Sequence, residues 1–380
     1  MKALEDLLAQ TEFTDEEVAR ILRIRTPEEA DLLQRRAYDL TTREMGPNVY
    51  LRGLIEISNV CTANCRYCGI RKANHDVERY TLPRETILEC ARLALESGYG
   101  SIAIQAGERR DPKWVTFIGE LLRDIHEMSC TEALPQIGRA SCRLGITLSL
   151  GEQSLEVYEY WAEASGNPDG LRYLLRIESS NPELFHRLHC TPGKHEKVLE
   201  HRYEALANLR KAGYQVGTGV MIGLPGQTIE DLVQDIRTFE KVGADMIGMG
   251  PYLTSLGADM VSLGQMPHDD LLRLSLNMIA ATRLVLRNVN IAAATALETL
   301  EPRGRIMGIL HGCNVVMPNI TPQMTRASYQ LYDNKAGTEV GAESNILVEN
   351  DIVRIAHRTL GLNRLGSSRR WVERTGRPAN

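Results

Sequence analysis

Leu51-Arg-Gly-Leu-Ile-Glu-Ile-Ser58 runs, after two residues, into Cys61-Thr-Ala-Asn-Cys65-Arg-Tyr-Cys68. The apolar run reads as a strand bounded by a polar loop. Three thiols at spacings of four and three can grip three corners of an iron–sulfur cube, and no fourth cysteine follows nearby, so one iron would stay open to a ligand. A structural zinc knuckle is closed by four ligands, commonly as two Cys-x-x-Cys pairs. The second pair is missing, but His75 lies seven residues past Cys68. Zinc, and three core thiols without metal, therefore stay open as alternatives.

Working outward from that strand, short apolar runs alternate with helical patterns: Leu51 to Ser58, Ser101 to Gln105, Ile146 to Leu150, Tyr173 to Glu178, Gln215 to Ile222, Asp245 to Met249, Asn290 to Ala296 and Asn314 to Met317. Between them, stripes such as Ile229, Leu232, Ile236 and Phe239, or Leu271, Leu274, Met278, Ala281 and Val285, recur at spacings of three and four. They read as helix faces turned to the core. Strands apolar on both faces and separated by helices predict a parallel sheet, and eight such units predict an α/β fold that closes into a complete (β/α)8 barrel of the TIM type. Residues 1–47 read as a helical extension, with a capping box at Thr14 and Glu17, a second start at Thr26-Pro27 and an end at Gly46-Pro47. The barrel is expected over 48–330, and a helical, basic tail over 331–380 with a helix at Asn350 to Thr359. Cys130 to Arg143, before the third strand, reads as a surface-loop insertion.

A chain of 380 residues with 43% hydrophobic content can bury a large core. A net charge of −5 argues against a nucleic-acid partner, and basic pairs such as Arg109-Arg110 and Arg369-Arg370 read as solvated surface. No apolar stretch approaches the length of a membrane span, and Met1 to Gln10 reads as an acidic amphipathic helix rather than a leader. Eight cysteines are too sparse for a disulfide scaffold, and Cys90, Cys130, Cys142, Cys190 and Cys313 stand singly. The expected compartment is reducing, and cytoplasmic.

In a barrel of this kind the chemistry gathers at the carboxyl ends of the strands. The second run ends in Gln105-Ala106-Gly107-Glu108, where Gly107 is expected to let backbone approach a ligand. The fourth ends in Arg176-Ile177-Glu178, a cation and a carboxylate on one face. Gly217 to Gly226 is glycine-dense across a strand and the turn beyond it, yet has neither the lysine nor the spacing of a phosphate loop. Instead it suggests a backbone shelf for a flat ring.

Cys-x-x-x-Cys-x-aromatic-Cys after the first strand, with Tyr67 in the aromatic slot, resembles the signature of the radical S-adenosylmethionine (SAM) enzymes. The runs at 54–61, 147–152, 172–176, 221–228 and 316–319 (Leu-Ile-Glu-Ile-Ser-Asn-Val-Cys, Thr-Leu-Ser-Leu-Gly-Glu, Arg-Tyr-Leu-Leu-Arg, Met-Ile-Gly-Leu-Pro-Gly-Gln-Thr, Val-Met-Pro-Asn) are similar to the HydE family, maturases of the FeFe-hydrogenase H-cluster. Biotin synthase and the methylornithine synthase PylB are relatives, and the similarity spans residues 45 to 335. The resemblance implies a 4Fe–4S cluster on Cys61, Cys65 and Cys68, with SAM on the open iron, reductively cleaved to a 5'-deoxyadenosyl radical. It further implies that Gln105, Thr147, Glu178 and Arg202 contact SAM: the 105–108 element through the methionine amino group, Glu178 through the ribose hydroxyls and Arg202 through the carboxylate. Tyr329 belongs with this cofactor set and also lines the cavity, while Arg176, Thr295 and Tyr332 match catalytic positions around the substrate, an iron–cysteine complex bearing carbon monoxide and cyanide. HydG and HydF are the implied partners, and a ferredoxin or flavodoxin the electron donor.

The sequence departs from that pattern at Ile177, where the family commonly has histidine, and at Ala294-Thr295, where it has a threonine pair; both changes are expected in the cavity. Ala106 replaces a glycine, and no cysteine follows Cys313 to build a second cluster. The alternatives are amino-acid rearrangement as in PylB, biotin-synthase-like chemistry and, outside enzymes, a metal-binding barrel without catalysis.

Overall fold

In a computed structural model, residues 2–131, 144–190, 197–338 and 342–377 are described. Eight parallel strands form a closed ring: β1 (Asn48–Ser58), β2 (Ser101–Ala106), β3 (Gly145–Ser149), β4 (Leu171–Leu174), β5 (Gln215–Thr218), β6 (Met246–Ile247), β7 (Asn290–Ala293) and β8 (Val315–Val316). Each pairs with the next, and β8 returns to β1 with Tyr50 opposite Val315 and Leu51 opposite Val316. The expected (β/α)8 barrel is what forms. A two-residue ladder, Met221–Ile222 with Gly250–Pro251, extends β5 and β6 toward the carboxyl end.

Helices follow the strands as the apolar stripes predict. In Ile229–Lys241, Leu232, Ile236 and Phe239 are buried, and Thr228 with Asp231 forms a capping box. His268–Val285 buries Leu271, Leu274, Met278 and Ala281. The amino-terminal helices begin where the caps predict, at Thr14 and at Thr26 with Pro27, and pack against Ile229–Lys241 and His268–Val285 on the outer wall.

Three elements differ from the sequence reading. The fourth strand is Leu171–Leu174 rather than Tyr173 to Glu178; beyond it Glu178 adopts φ +63° and makes an isolated parallel bridge to Val220. The seventh stops at Ala293, where a helix begins at Thr295. In the tail a helix forms at Ala342–Arg354 rather than Asn350 to Thr359, and another at Arg369–Thr375; Thr359–Leu360 instead pairs in parallel with Asn48 and Val49 of β1. Of the expected insertion, Cys130 and Thr131 end the helix Pro112–Thr131, and 132–143 lie outside the described residues.

Residues 364–368 plug the amino-terminal end of the barrel. Arg172 donates to Leu365 O at 2.5 Å, Asn290 to Gly366 O at 2.8 Å and Gln215 to Ser367 Oγ at 3.0 Å. A cavity lies at the opposite end, lined by residues at the carboxyl ends of the strands. Among the described residues no helix is long and apolar enough to cross a membrane.

Candidate functional site

The loop after β1 is held through its backbone and through ion pairs of Arg66 and Arg71 with Asp259. The Arg79 guanidinium donates to four carbonyls, Asn59, Ile70, Arg71 and Asn74, at 2.7–2.8 Å. Arg66 N–H donates to Leu188 O, Gly69 N–H to Leu331 O, and Thr62 N–H to Glu108 O, at 2.8–2.9 Å. So anchored, the loop turns Cys61, Cys65 and Cys68 onto one wall of a cavity of about 220 Å³ at the carboxyl end of the barrel.

All three thiols are free. Burial pushes the Cys61 thiol up, Cys65 to about 11 and Cys68 higher still. In such surroundings a thiolate persists at neutral pH only when a metal is held against it. Glu108 N–H donates to Cys61 Sγ at 3.3 Å, the kind of amide–sulfur bond that stabilises a metal-bound thiolate. No three histidine, cysteine, aspartate or glutamate side chains among the described residues are grouped to hold a single metal ion. Three cysteines on one wall, with no fourth cysteine among the lining residues, are a donor set that fits a 4Fe–4S cluster with one open iron.

The other walls come from the strand ends. Gln105, Arg176, Glu178, Arg202, Tyr329 and Tyr332 line the cavity with the three cysteines, as their assignment to a site requires. Thr147 and Thr295 are not among the lining residues. Thr147 is buried on β3 two residues before the lining Ser149, its hydroxyl without a hydrogen-bond partner among the described residues. Thr295 instead accepts from Arg305 at 3.2 Å.

Alternating ion pairs frame the space. Arg176 lies 2.9 Å from Glu178, Arg202 2.6 Å from Glu152, and Lys197 2.7 Å from Glu108, with Arg110 reaching both Glu108 and Glu152. Burial opposes the Glu108 charge, but the Lys197 and Arg202 cations hold its carboxyl down to about 2. Burial prevails at Glu178 and raises its carboxyl despite Arg176 and Arg202. The positive φ of Glu178, costly for a residue with a side chain, is the kind of backbone strain that clusters at functional sites. Buried acids and bases with opposed shifts in one cleft are typical of such sites too.

Several sequence expectations change. Ile177 is wholly buried in the hydrophobic core and does not line the cavity, whereas its neighbours Arg176 and Glu178 do; of the two departures, Ala294 faces the cavity. Gly107 lines the cavity, but a Cβ there would stand 2.4 Å from Val60 O, so the missing side chain makes room for the cysteine loop. At Gly219 a Cβ would stand 1.9 Å from Gly248 O: the glycine-dense run brings two strands together, and within it only Met221 lines the cavity. The sequence reading missed Lys197, Glu152 and Arg79, which no periodicity marks. It also missed a buried pair in which Lys335, paired with Glu56, sits over the Tyr329 ring at 5.0 Å.

Residues 55–239 match the radical SAM superfamily. The chain is 37% identical over 329 residues to the FeFe-hydrogenase maturase subunit HydE of Thermotoga maritima, covering 86% of each. It is 23% identical over 312 residues to 3-methylornithine synthase of Methanosarcina acetivorans, covering 82% of this chain and 81% of that one. The crystal structure of methylornithine synthase (PylB) superposes with a TM-score of 0.75 at 21% identity, over 95% of this chain and 98% of that one, a likeness of fold.

Proposed function

Because this chain belongs to the HydE family of the radical SAM enzymes, we propose that Cys61, Cys65 and Cys68 hold three irons of a 4Fe–4S cluster and leave the fourth open to SAM. When bound, the cluster supplies the electron that splits SAM to a 5'-deoxyadenosyl radical. Gln105, Glu178, Arg202 and Tyr329 then face SAM, with Glu178 accepting from the ribose hydroxyls. Its raised affinity for a proton reflects a carboxylate awaiting donors in a buried place. Arg176 and Tyr332 face the substrate. Thr147 and Thr295 stand behind that lining, where they support the wall.

The reaction we favour is a step in building the FeFe-hydrogenase H-cluster, on an iron–cysteine complex bearing carbon monoxide and cyanide. HydG and HydF act as partner maturases, and a ferredoxin or flavodoxin donates the electron in a reducing cytoplasm. The 37% identity to HydE over 86% of both chains carries this reading. Arg176 gives it physical support, as a guanidinium at the wall of a largely apolar chamber suits an anionic complex. A second reading, an amino-acid mutase like 3-methylornithine synthase, is favoured by Ala294, which lines the cavity where the HydE pattern has threonine. Anaerobic co-expression with HydG, HydF and an apo-hydrogenase tests the first. Active hydrogenase with wild type and none with Cys65→Ala supports it; inactive hydrogenase with fully reconstituted wild type, together with conversion of lysine, moves the assignment to the second.

A further inference from the structure

The segment that carries Glu178 into the cavity is held from behind by one helix. Glu178 sits at φ +63°, a conformation that a residue with a side chain keeps only where its neighbours over-determine it. Part of that constraint is backbone: Glu178 N–H donates to Gly219 O, and Glu178 O accepts from Met221 N–H, both at 3.0 Å. The turn that follows, Ser179 to Asn181, sets the direction in which the chain leaves Glu178.

Two carboxylates one turn apart on the helix Ile229–Lys241 grip that turn. Asp235 Oδ1 accepts from both the N–H and the hydroxyl of Ser180, each at 2.6 Å. Asp231 Oδ1 accepts from the Asn181 side-chain amide at 2.7 Å, and Asn181 Oδ1 caps the helix Pro182–His189 by accepting from Glu183 and Leu184 N–H. Near the end of that helix Leu188 O accepts from Arg66 N–H of the cysteine loop. One short turn therefore joins the Glu178 wall to the element that braces the cysteines.

Of the two carboxylates, Asp235 is the one that packing does not explain. It is fully buried, and its second oxygen has no hydrogen-bond partner among the described residues. Enclosing such a group costs free energy, and an apolar side chain there would join Leu232, Ile236 and Phe239 in the core without that cost. What the carboxyl provides is a double hold on Ser180, two residues past Glu178.

We propose that Asp235 is a positioning residue for the SAM site: by holding Ser180 it fixes the direction in which Glu178 presents its carboxylate to the ribose hydroxyls. This rests on the radical SAM reading above and adds to it a residue outside the cavity lining. Hydrogen bonds weaken steeply away from their preferred length and angle, so a carboxylate that accepts from neighbouring hydroxyls tolerates little displacement.

The test is equilibrium binding by calorimetry to anaerobically reconstituted protein, with SAM and 2',3'-dideoxy-SAM as paired probes, for wild type, Asp235→Ala and Asp235→Asn. Asp235→Ala should weaken SAM at least about tenfold and leave the dideoxy probe within about twofold of wild type, at unchanged iron content. Asp235→Asn, whose amide oxygen still accepts from Ser180, should recover most of the loss, and Asp235→Ala should add little in a Glu178→Gln background. Equal weakening of both probes, or of neither, overturns the proposal. If Asp235→Ala does not fold, Ser180→Ala removes one of the two bonds: selective loss of SAM binding supports the proposal, and equal effects on the probes overturn it. Wild type that binds neither probe overturns the radical SAM reading, and wild type that does not distinguish them overturns the ribose contact of Glu178. Wild type that distinguishes them no better than Asp235→Ala overturns the Asp235 assignment alone.

Discussion

Lys335→Met tests the strap that closes the cavity. The segment 328–338 carries Tyr329, Leu331 and Tyr332 into the lining, and Lys335 fastens it to Glu56 on β1. Both side chains are almost fully enclosed, Glu56 at 0% and Lys335 at 4% exposure, and Lys335 also donates to Tyr329 O at 3.0 Å. Removing one partner of a buried ion pair costs about 3–5 kcal/mol, because the other charge is left without compensation. Domains are commonly stable by only about 5–15 kcal/mol, so the single variant should lie close to unfolding. Glu56→Gln combined with Lys335→Met removes the stranded charge and should recover most of the loss. Urea denaturation of the three proteins, followed by circular dichroism under anaerobic conditions, measures this directly. A loss below about 1 kcal/mol, in the range of an exposed pair, or a double variant no more stable than the single one, would refute the latch.

Other perturbations bear on the loop, the cavity and the core. Gly107→Ala places a methyl 2.4 Å from Val60 O, so it should displace the cysteine loop and lower iron per chain after reconstitution, read by iron analysis. Glu178→Gln keeps the shape but removes the charge that receives donors. SAM affinity should fall about tenfold with iron content unchanged; equal affinity would remove Glu178 from the SAM site. Asp235, buried against Ser180, has its carboxyl raised to about 7 from 3.8, chiefly by burial. The folded state therefore holds this proton more tightly than the unfolded one, and the stability it contributes is present below about pH 3.8 and lost as pH rises through about 7. Relative to Asp235→Asn, wild type should lose stability between those values and level off above them; a pH-independent difference would show that Asp235 does not titrate there.

The fold was legible because its signal is local and repeated. Eight apolar runs, and stripes such as Leu232, Ile236 and Phe239, each point to a parallel barrel. The cysteine loop was legible because spacing alone encodes the donor set. Strand ends were harder to read: beyond the fourth strand Glu178 takes a positive φ that no composition announces, and the helix after β7 starts inside an alanine-rich run that suits a strand equally well. Glycines were recognisable but their purpose was not, since Gly107 and Gly219 are fixed by neighbours distant in sequence, Val60 and Gly248. The same holds for Lys197 with Glu108, Arg202 with Glu152 and Lys335 with Glu56, partners up to 279 residues apart. Ion pairs of this reach are written in the tertiary structure and leave no period in the chain. Likewise, the contacts of 364–368 with the barrel floor include the backbone carbonyls of Leu365 and Gly366, which any sequence would supply.

The account stands most directly on the metal that the three cysteines hold. Anaerobic iron analysis joined to electron paramagnetic resonance of the dithionite-reduced protein, with and without SAM, reads it. The account predicts about four irons per chain for a cube-type cluster, a signal that changes when SAM is added, release of 5'-deoxyadenosine, and loss of all three in Cys65→Ala. A zinc-loaded protein, or a cluster whose signal is the same with and without SAM, would contradict it.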